Sequence, residues 1–399
     1  MQRILQNPRE NWQQKLIEQG FFYHSIDEKG NDVSHLHNKF IYWREDVAYC
    51  FTEKQVEKIE NVTNELHQMC LVVANDLVKN GDLSRLNIPF IAQELITNSF
   101  NEKQPGLYGR FDIAWNGIGE PKMLEYNADT PTSIIESGIA QWFWRNDVHP
   151  SLTQFNNLHQ MLVERWSFLQ KYYNLDFVHF GCFFESQEDV GNTQYVQETA
   201  NQAGLKTKLF HMPDIGKDIN HQYLDSDDYK IKAIFKLFPW EFFFVEDLFK
   251  NFNKSNTVWI EPIWKAILSN KAILPILWEK FPKHPNLLEA HFSSDKFNGN
   301  YVKKPVLSRE GANIEIINEN KSIINTPGSY TKSGYIYQEH YPMPEIDAPE
   351  KTGWLETNKV YPVIGSWVVG DKSAGICLRE DISPITKNTS YFVPHYVKN

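Results

Sequence analysis

Apolar and polar residues alternate with a period of two between Gly109 and Asn127, in the stretch GRFDIAWNGIGEPKMLEYN. This alternation is typical of β-strands with one buried face, and the Asn116-Gly117 pair in its middle is typical of a tight turn. The stretch therefore predicts a β-hairpin. It limits the fold more than any other feature of the chain, because it fixes which side chains share a face.

The predicted hairpin gathers four polar side chains on one side. Arg110 and Asp112 share a face of the first strand, and Glu125 and Asn127 share a face of the second, with apolar neighbours such as Phe111 turned away. If the loop closes symmetrically, Asp112 lies across from Glu125. Like charges directly opposed on a sheet destabilise it, so a positive group is expected between them.

Carboxylate and amide oxygens held by rigid strands are suited to Mg²⁺, which takes one or two carboxylates from a protein and phosphate oxygens at other positions. The hairpin therefore predicts a magnesium site formed by Asp112, Glu125 and Asn127. Arg110 would lie beside the metal and contact a transferring phosphoryl group. The alternative is a surface hairpin with a salt bridge between Arg110 and Glu125.

Helical and strand-like segments follow one another along the chain, which indicates a mixed α/β fold. Residues 1–85 predict mainly helices, including one at the N-terminus and a long one that stops at Gly81. A helix capped by Thr132 or Ser133 follows the hairpin. The stretch from LDFVHF to KLFH predicts strand, helix, a stop at Gly204 and strand, which is a βαβ unit. A length of 399 residues predicts two or three packed lobes.

Composition excludes several classes of function. The net charge of −10 opposes a surface that follows nucleic-acid phosphates, since that requires clustered Lys and Arg. No run reaches the roughly 18 apolar residues of a membrane span. The four cysteines are far apart with no C-x-x-C pair, so neither a disulfide framework nor a structural zinc site is expected. With no secretory signal at the N-terminus, these features together predict a cytoplasmic location.

Three further segments have features of a nucleotide site. In YVKKPVLSREGANIEI, a strand ends at Lys304 and precedes a polar loop with Gly311, whose backbone amides could hold phosphates. It is not a Walker loop, because no G-x-x-x-x-G-K-[ST] motif occurs and a strand follows. WKAILSNKAILPILW predicts an apolar helix containing Lys265 and Lys271, and lysines in such helices usually extend to the surface. YIYQEHYPMP predicts a strand ending in polar residues that could pair with a base edge.

Together these segments resemble ATP-grasp ligases. LEYNADTP is similar to their metal strand, KKPVLSREGANI to their phosphate loop, and SNKAILPILW to the segment that bears their first ATP lysine. Here the metal strand comes before the lysines, whereas most ATP-grasp enzymes place it last. The resemblance therefore implies a circularly permuted ATP-grasp fold with α+β lobes and a βαβ-containing lobe like the pre-ATP-grasp domain.

A permuted chain with YGRFD, LEYNADTPTS, a KP-x-x-x-REG-type loop and the closing PVIGSWVVG and ICLREDISPITKNTSYFVPHY resembles the glutathionylspermidine synthase family from about Asn11 to Val397. The resemblance implies ATP and Mg²⁺ as cofactors, with the metal bound as predicted above. It also implies ATP contacts, residues facing the reacting phosphate and carboxylate, and substrate contacts. These are, in that order, Lys271, Lys304, Arg309, Gly311, Gln338, Glu339 and His340; Arg110 and Arg379; and Ser133, Glu188 and Asp189. For Glu188 and Asp189 the alternative is a helix start, where acids are favoured.

The resemblance implies one synthetase-like unit over residues 1–399. Residues 1–150 with 335–399 would form the metal-binding lobe, 151–250 a βαβ substrate-side lobe, and 251–334 a small lobe with the phosphate loop. The chain begins directly at the synthetase part and so resembles the shorter relatives without an amidase domain.

The implied reaction is ATP-dependent amide formation through an acyl phosphate. The implied substrates are a glutathione-like or peptide carboxylate and an amine or polyamine, with no nucleic-acid or membrane partner. Two alternatives remain: a kinase that stops after phosphoryl transfer, and a catalytically silent nucleotide or peptide binder.

Overall fold

The predicted hairpin forms one edge of a six-stranded antiparallel sheet, here called the large sheet. It is seen in a computed structural model that describes residues 1–25, 42–330, 333–348 and 358–398. The hairpin pairs through its first strand with a long strand from the C-terminal part of the chain. In spatial order the strands are Tyr391–Val393, Lys372–Asp381, Lys359–Val369, Tyr108–Ala114 and Lys122–Asn127, with Ile346–Asp347 also paired to Lys359–Val369.

The register of the hairpin sets Asp112 directly across from Glu125, as the alternation predicted. On the opposite face Phe111 and Tyr126 stack with ring centroids 3.8 Å apart, and both are buried. A bulge follows Asp112, and it makes Leu124 the extra residue of the second strand. Bulges re-aim the groups of a strand, and here the carbonyl of Leu124 accepts a hydrogen bond from a lysine of another sheet.

A second, five-stranded antiparallel sheet, here called the small sheet, contains the two strands predicted around the glycine loop. The lobe boundary predicted at 334/335 falls between strands of this sheet, because Tyr335–Glu339 pairs with Tyr301–Pro305. The strand order is Ala290–His291, Tyr335–Glu339, Tyr301–Pro305, Glu315–Asn318 and Lys321–Asn325.

The predicted βαβ unit is confirmed in a four-stranded parallel sheet. Its helix, Gln187–Gln202, is followed by Gly204 with φ 92°, a left-handed conformation that glycine adopts without strain. The large and parallel sheets meet at Tyr108, which stacks on Trp367 of its own sheet and on Phe235 of the parallel one. The parallel strands are, in order, Val258–Ile260, Ala233–Lys236, Phe177–Cys182 and Lys206–His211; a separate pair is Gly216–Lys217 and Tyr223–Leu224.

The prediction of a helix at the extreme N-terminus is wrong for its first part. Gln2–Leu5 is a strand that pairs with Val47–Phe51, and His395–Val397 completes this three-stranded sheet. The helix itself is only Trp12–Glu18, because the first residues are engaged by partners distant in sequence. The long helix is confirmed as Glu53–Asn80, with a capping box at its start and Gly81 in the left-handed conformation after it. Within the described ranges, no helix is both long and apolar enough to cross a membrane.

Two local predictions need correction. Lys271 does not lie in a helix: a 3₁₀ segment, Ile263–Ile267, ends before it, and the α-helix begins at Ile273. Ser133 does not cap the following helix, because it has φ 66° and the amide of Ile134 donates instead to Asn192 Oδ1 at 2.8 Å. The other α-helices are Phe90–Asn101, Gln141–Val148, Leu158–Tyr173, Trp240–Phe243 and Ile273–Lys280, and Glu136–Ala140 is a π-helix. Further 3₁₀ segments are Leu83–Leu86, Met212–Asp214, Asp247–Phe249, Phe252–Lys254 and Ser294–Lys296.

Candidate active site

A deep cleft separates the hairpin face of the large sheet from the small sheet. Its empty space is about 1350 Å³ with the open mouth included, enough for a nucleotide and a second molecule. Twelve of the fifteen predicted site residues line this cleft, and the exceptions are Ser133, Glu188 and Asp189. The twelve are Arg110, Asp112, Glu125, Asn127, Lys271, Lys304, Arg309, Gly311, Gln338, Glu339, His340 and Arg379.

The hairpin supplies the acidic wall of the cleft. Arg110 Nε donates to Asp112 Oδ1 at 2.9 Å, and Lys271 Nζ lies 2.9 Å from Glu125 Oε2. Each carboxylate therefore has its own cation, so the positive group expected from the register is present twice. Asn127 Nδ2 donates to Glu125 Oε1 at 3.0 Å, which directs the amide oxygen of Asn127 away from that carboxylate.

These donors fit Mg²⁺ better than a softer metal. They are two carboxylates and one amide, all oxygen ligands, which leaves the remaining positions for water and phosphate oxygens. The described part of the chain contains no group of three or more His, Cys, Asp and Glu side chains that could hold a metal. The hairpin set does not contradict that finding, because its third member is an amide.

The small sheet supplies the basic wall. Lys304 is buried, and its ammonium donates to Gln338 Oε1 at 2.6 Å and to the carbonyl of Leu124 at 3.2 Å. Burial lowers the pKa of Lys304 to about 8, although Glu125 opposes this shift. Burial would raise the pKa of Glu125, but Lys271 and Lys304 outweigh it and lower that pKa to about 2. Both lysines thus face the acidic wall as charged groups at neutral pH.

Lys265 behaves differently from its predicted role. Lysines in that segment were expected at the surface, but Lys265 is buried and bonded to Glu261 at 2.7 Å. Glu261 also accepts from the backbone amides of Leu107 and Tyr108. Lys265 therefore anchors the start of the hairpin, whereas Lys271 lines the cleft.

The loop after Lys304 lies along the cleft and crosses to the other side. Arg309 donates to Thr130 Oγ1 at 2.8 Å and to Glu241 Oε1 at 2.7 Å, which lie after the hairpin and at the parallel sheet. Gly311 has φ 68°, and a β-carbon there would collide with the carbonyl oxygen of Thr386. Glycine is therefore required where the loop meets the segment around Thr386.

The end of the cleft near Gln338 is apolar. Val302 is the cross-strand neighbour of both Gln338 and Ile316, so these side chains share the face of the small sheet that points into the cleft. Because Gln338 Oε1 is bonded to Lys304, the groups best placed to pair with a base are backbone groups of the Gln338–His340 segment. The other apolar lining residues are Leu124, Leu288, Ile314, Met343, Val363 and Ile385, none of which the sequence singled out.

The remaining predicted residues lie beside the cleft. Arg379, on the cleft wall, donates through Nη1 to Ser133 Oγ at 3.3 Å, and its other nitrogens hold the carbonyls of residues 387, 388 and 390. Glu188 and Asp189 begin the helix Gln187–Gln202, whose cap is Ser186, so the structural alternative holds for them as well. Burial raises the pKa of both acids, that of Asp189 to about 7 with Glu188 contributing, while Arg379 opposes the rise at Glu188.

Comparison with known proteins agrees with this geometry. Residues 3–398 match the family model described as "Glutathionylspermidine synthase preATP-grasp". The chain belongs to this family. A Haemophilus influenzae protein named "Putative acid--amine ligase" is 37% identical over 99% of both chains.

Two further relatives in the family are longer than this chain. The Escherichia coli "Bifunctional glutathionylspermidine synthetase/amidase" is 26% identical over 87% of this chain and 58% of its own length. The Crithidia fasciculata "Trypanothione synthetase" is 27% identical over 88% of this chain and 58% of its own length. Family members are acid–amine ligases, and this chain is accordingly an ATP-dependent C–N ligase.

Proposed function

We propose that the chain uses ATP and Mg²⁺ to activate a carboxylate as an acyl phosphate and then joins it to an amine. The convergence of Lys271 and Lys304 with Asp112 and Glu125 on one cleft is the observation that supports this most directly. It unites, from two sheets, the charges that phosphoryl transfer requires, since that reaction depends on placement and charge neutralisation more than on covalent help.

In this proposal each wall has a separate task. Lys271, Lys304 and the Arg309–Gly311 loop bind the phosphates of ATP, and the apolar end near Val302 takes the base. Asp112, Glu125 and Asn127 would hold Mg²⁺, which when bound neutralises phosphate charge. Arg110 and Arg379 flank the acceptor carboxylate, so that its oxygen can attack the γ-phosphorus in line.

The second half of the reaction needs a neutral amine and little water. Closure of the loop by Arg309 onto Glu241 shields the cleft from solvent. Glu188 and Asp189 orient the cationic amine, and Ser133 lies between them and Arg379. The amine nitrogen bonds to the acyl carbon, the acyl carbon–oxygen bond breaks, and phosphate leaves.

The substrates we propose are a glutathione-like or peptide carboxylate and a polyamine. The relatives support this choice, since the names of two of them refer to glutathionylspermidine and trypanothione synthesis. Because the chain spans only 58% of those relatives, glutathione and spermidine are the first pair to test rather than an assignment.

ADP release tests the proposal. Purified chain with Mg-ATP is assayed with glutathione, with spermidine, with both, and then with metabolite fractions in place of either. Release that requires an acid and an amine together, with a product that mass spectrometry shows to be their sum less one water, is the expected result. Release with a single acceptor would indicate a kinase, and none with any fraction would indicate a binder.

A further inference from the structure

Glu136 is a buried carboxylate that the proposed reaction has not yet used. It is fully buried at the start of the π-helix Glu136–Ala140, just after the hairpin. Its Oε1 accepts a hydrogen bond from the Tyr42 hydroxyl at 2.8 Å, while Oε2 has no hydrogen-bond partner in the described part of the chain. A buried carboxylate oxygen without a partner costs stability, and π-helical turns occur often at functional sites.

A hydrogen-bonded chain connects Glu136 to the cleft wall. Arg379 Nη1 lies 3.3 Å from Ser133 Oγ, Ser133 Oγ lies 3.3 Å from the Tyr42 hydroxyl, and that hydroxyl bonds to Glu136. A guanidinium can only donate, so Ser133 accepts from Arg379 and can donate to Tyr42, whose own hydrogen goes to Glu136. Every hydrogen in the chain therefore points away from the cleft and toward Glu136.

The charged and titratable groups around Glu136 adjust its affinity for a proton. Burial raises its pKa to about 7, the charge of Glu188 adds to the rise, and the hydrogen bond from Tyr42 and the charge of Arg379 oppose it. Tyr23 also faces this carboxyl, and burial raises the pKa of Tyr23 well above its usual value. Glu136 can thus gain or lose a proton near neutral pH, while the two tyrosines stay protonated.

Resting on the proposed function, we propose that Glu136 is the final acceptor of the proton that the substrate ammonium must lose before it attacks. The ammonium N–H bond breaks and its proton passes to Ser133 Oγ, as the Ser133 proton passes to Tyr42 and the Tyr42 proton to Glu136 Oε1. The freed lone pair attacks the acyl carbon. A second N–H proton leaves with the phosphate, so charge and atoms balance.

Hydroxylamine provides the decisive comparison, because it is unprotonated at neutral pH and needs no acceptor. The chain is given Mg-ATP and glutathione, or the acid identified above, with either spermidine or hydroxylamine. In Glu136→Gln, amide formation with spermidine is expected to fall roughly hundredfold, while hydroxamate formation is unchanged. Tyr42→Phe is expected to show the same selective loss, since it interrupts the chain.

A matched control exists elsewhere in the fold. Tyr49 is buried and donates to the buried Glu380 at 2.8 Å, which repeats the Tyr42–Glu136 arrangement outside the cleft. Tyr49→Phe should leave both reactions unchanged. Melting temperatures of the three variants show whether each is folded.

A pH profile separates proton acceptance from a structural role. Glu136 accepts a proton only when ionised, so the rate with spermidine should fall as the pH drops through about 7 in the wild type. In Glu136→Gln that fall should be absent. Equal loss with both nucleophiles, or an unchanged rate with spermidine, would overturn the role of Glu136 and leave the ligase intact. A wild-type chain that forms neither product with any acid would instead overturn the proposed function.

Discussion

Lys271 Nζ lies 2.9 Å from Glu125 Oε2 and donates to the carbonyl oxygen of Ser308 at 2.7 Å. One ammonium thus joins the hairpin of the large sheet to the loop that follows Lys304. Lys271 is buried, so its interaction with Glu125 is screened less by water and salt than a surface pair would be. The acidic and basic walls of the cleft are linked at this point.

Replacing Lys304 by Met should weaken ATP use roughly hundredfold in kcat/KM, because a charge directed at the phosphates is lost. Lys303 is the matched control, since it is adjacent on the same strand but bonds to Glu315 outside the cleft. Lys303→Met should change kcat/KM little. Steady-state kinetics with varied ATP make the comparison, and equal losses would contradict the ATP role of Lys304.

Replacing Asp112 by Asn should raise the Mg²⁺ concentration for half-maximal activity by about tenfold or more, because a charged ligand becomes neutral. Titration with Mn²⁺ followed by electron paramagnetic resonance measures metal binding without turnover and should show the same shift. Asp147→Asn, in a surface ion pair with Lys15, serves as the control. Unaltered Mn²⁺ binding by Asp112→Asn would exclude this residue as a ligand.

Replacing Glu241 by Gln should release the loop that carries Arg309. The pair is mostly buried at 2.7 Å, and loss of a charged hydrogen bond there costs about 2 kcal/mol. Hydrogen exchange of the amides in residues 307–313 should accelerate while the global melting temperature changes little. Glu315→Gln, on the same sheet but outside the cleft, should leave that exchange unchanged. If the loop exchanges equally in both variants, Arg309 does not hold it closed.

His395 should make the fold sensitive to acid. It is buried, its Nδ1 bonds to Gln141 Oε1 at 2.9 Å, and burial lowers its pKa from 6.5 to about 3. Between these values the unfolded chain binds a proton that the folded chain does not, so stability falls as pH drops through this window. The contribution is on the order of 4 kcal/mol.

Urea unfolding at several pH values measures this dependence. His395→Gln should lower stability at neutral pH and flatten the slope between pH 6.5 and about 3. His211→Gln, at a partly exposed position, should keep the wild-type slope. An unchanged slope in His395→Gln would mean that other groups cause the acid sensitivity.

The sequence by itself determined the elements whose signals are local. The period-two alternation gave the hairpin and set Asp112 opposite Glu125, because side-chain direction along a strand follows from backbone geometry alone. The long helix ending at Gly81 and the βαβ unit were predicted for the same reason. The cleft residues came from motif resemblance, and twelve of those fifteen lie around one cleft. Their individual roles stay predictions.

Only the tertiary structure decided what depends on distant partners. Residues 2–5 are a strand because Val47–Phe51 pairs with them, and no local pattern contains that information. Lys265 and Lys271 have similar local settings, yet one meets Glu261 and the other Glu125. Glu136 was missed, although an acid in the apolar run IIESGIA was a signal. Burial and the charges that shift a pKa are sums over neighbours in space, so only the fold could show that Glu136 faces Tyr42 and Glu188.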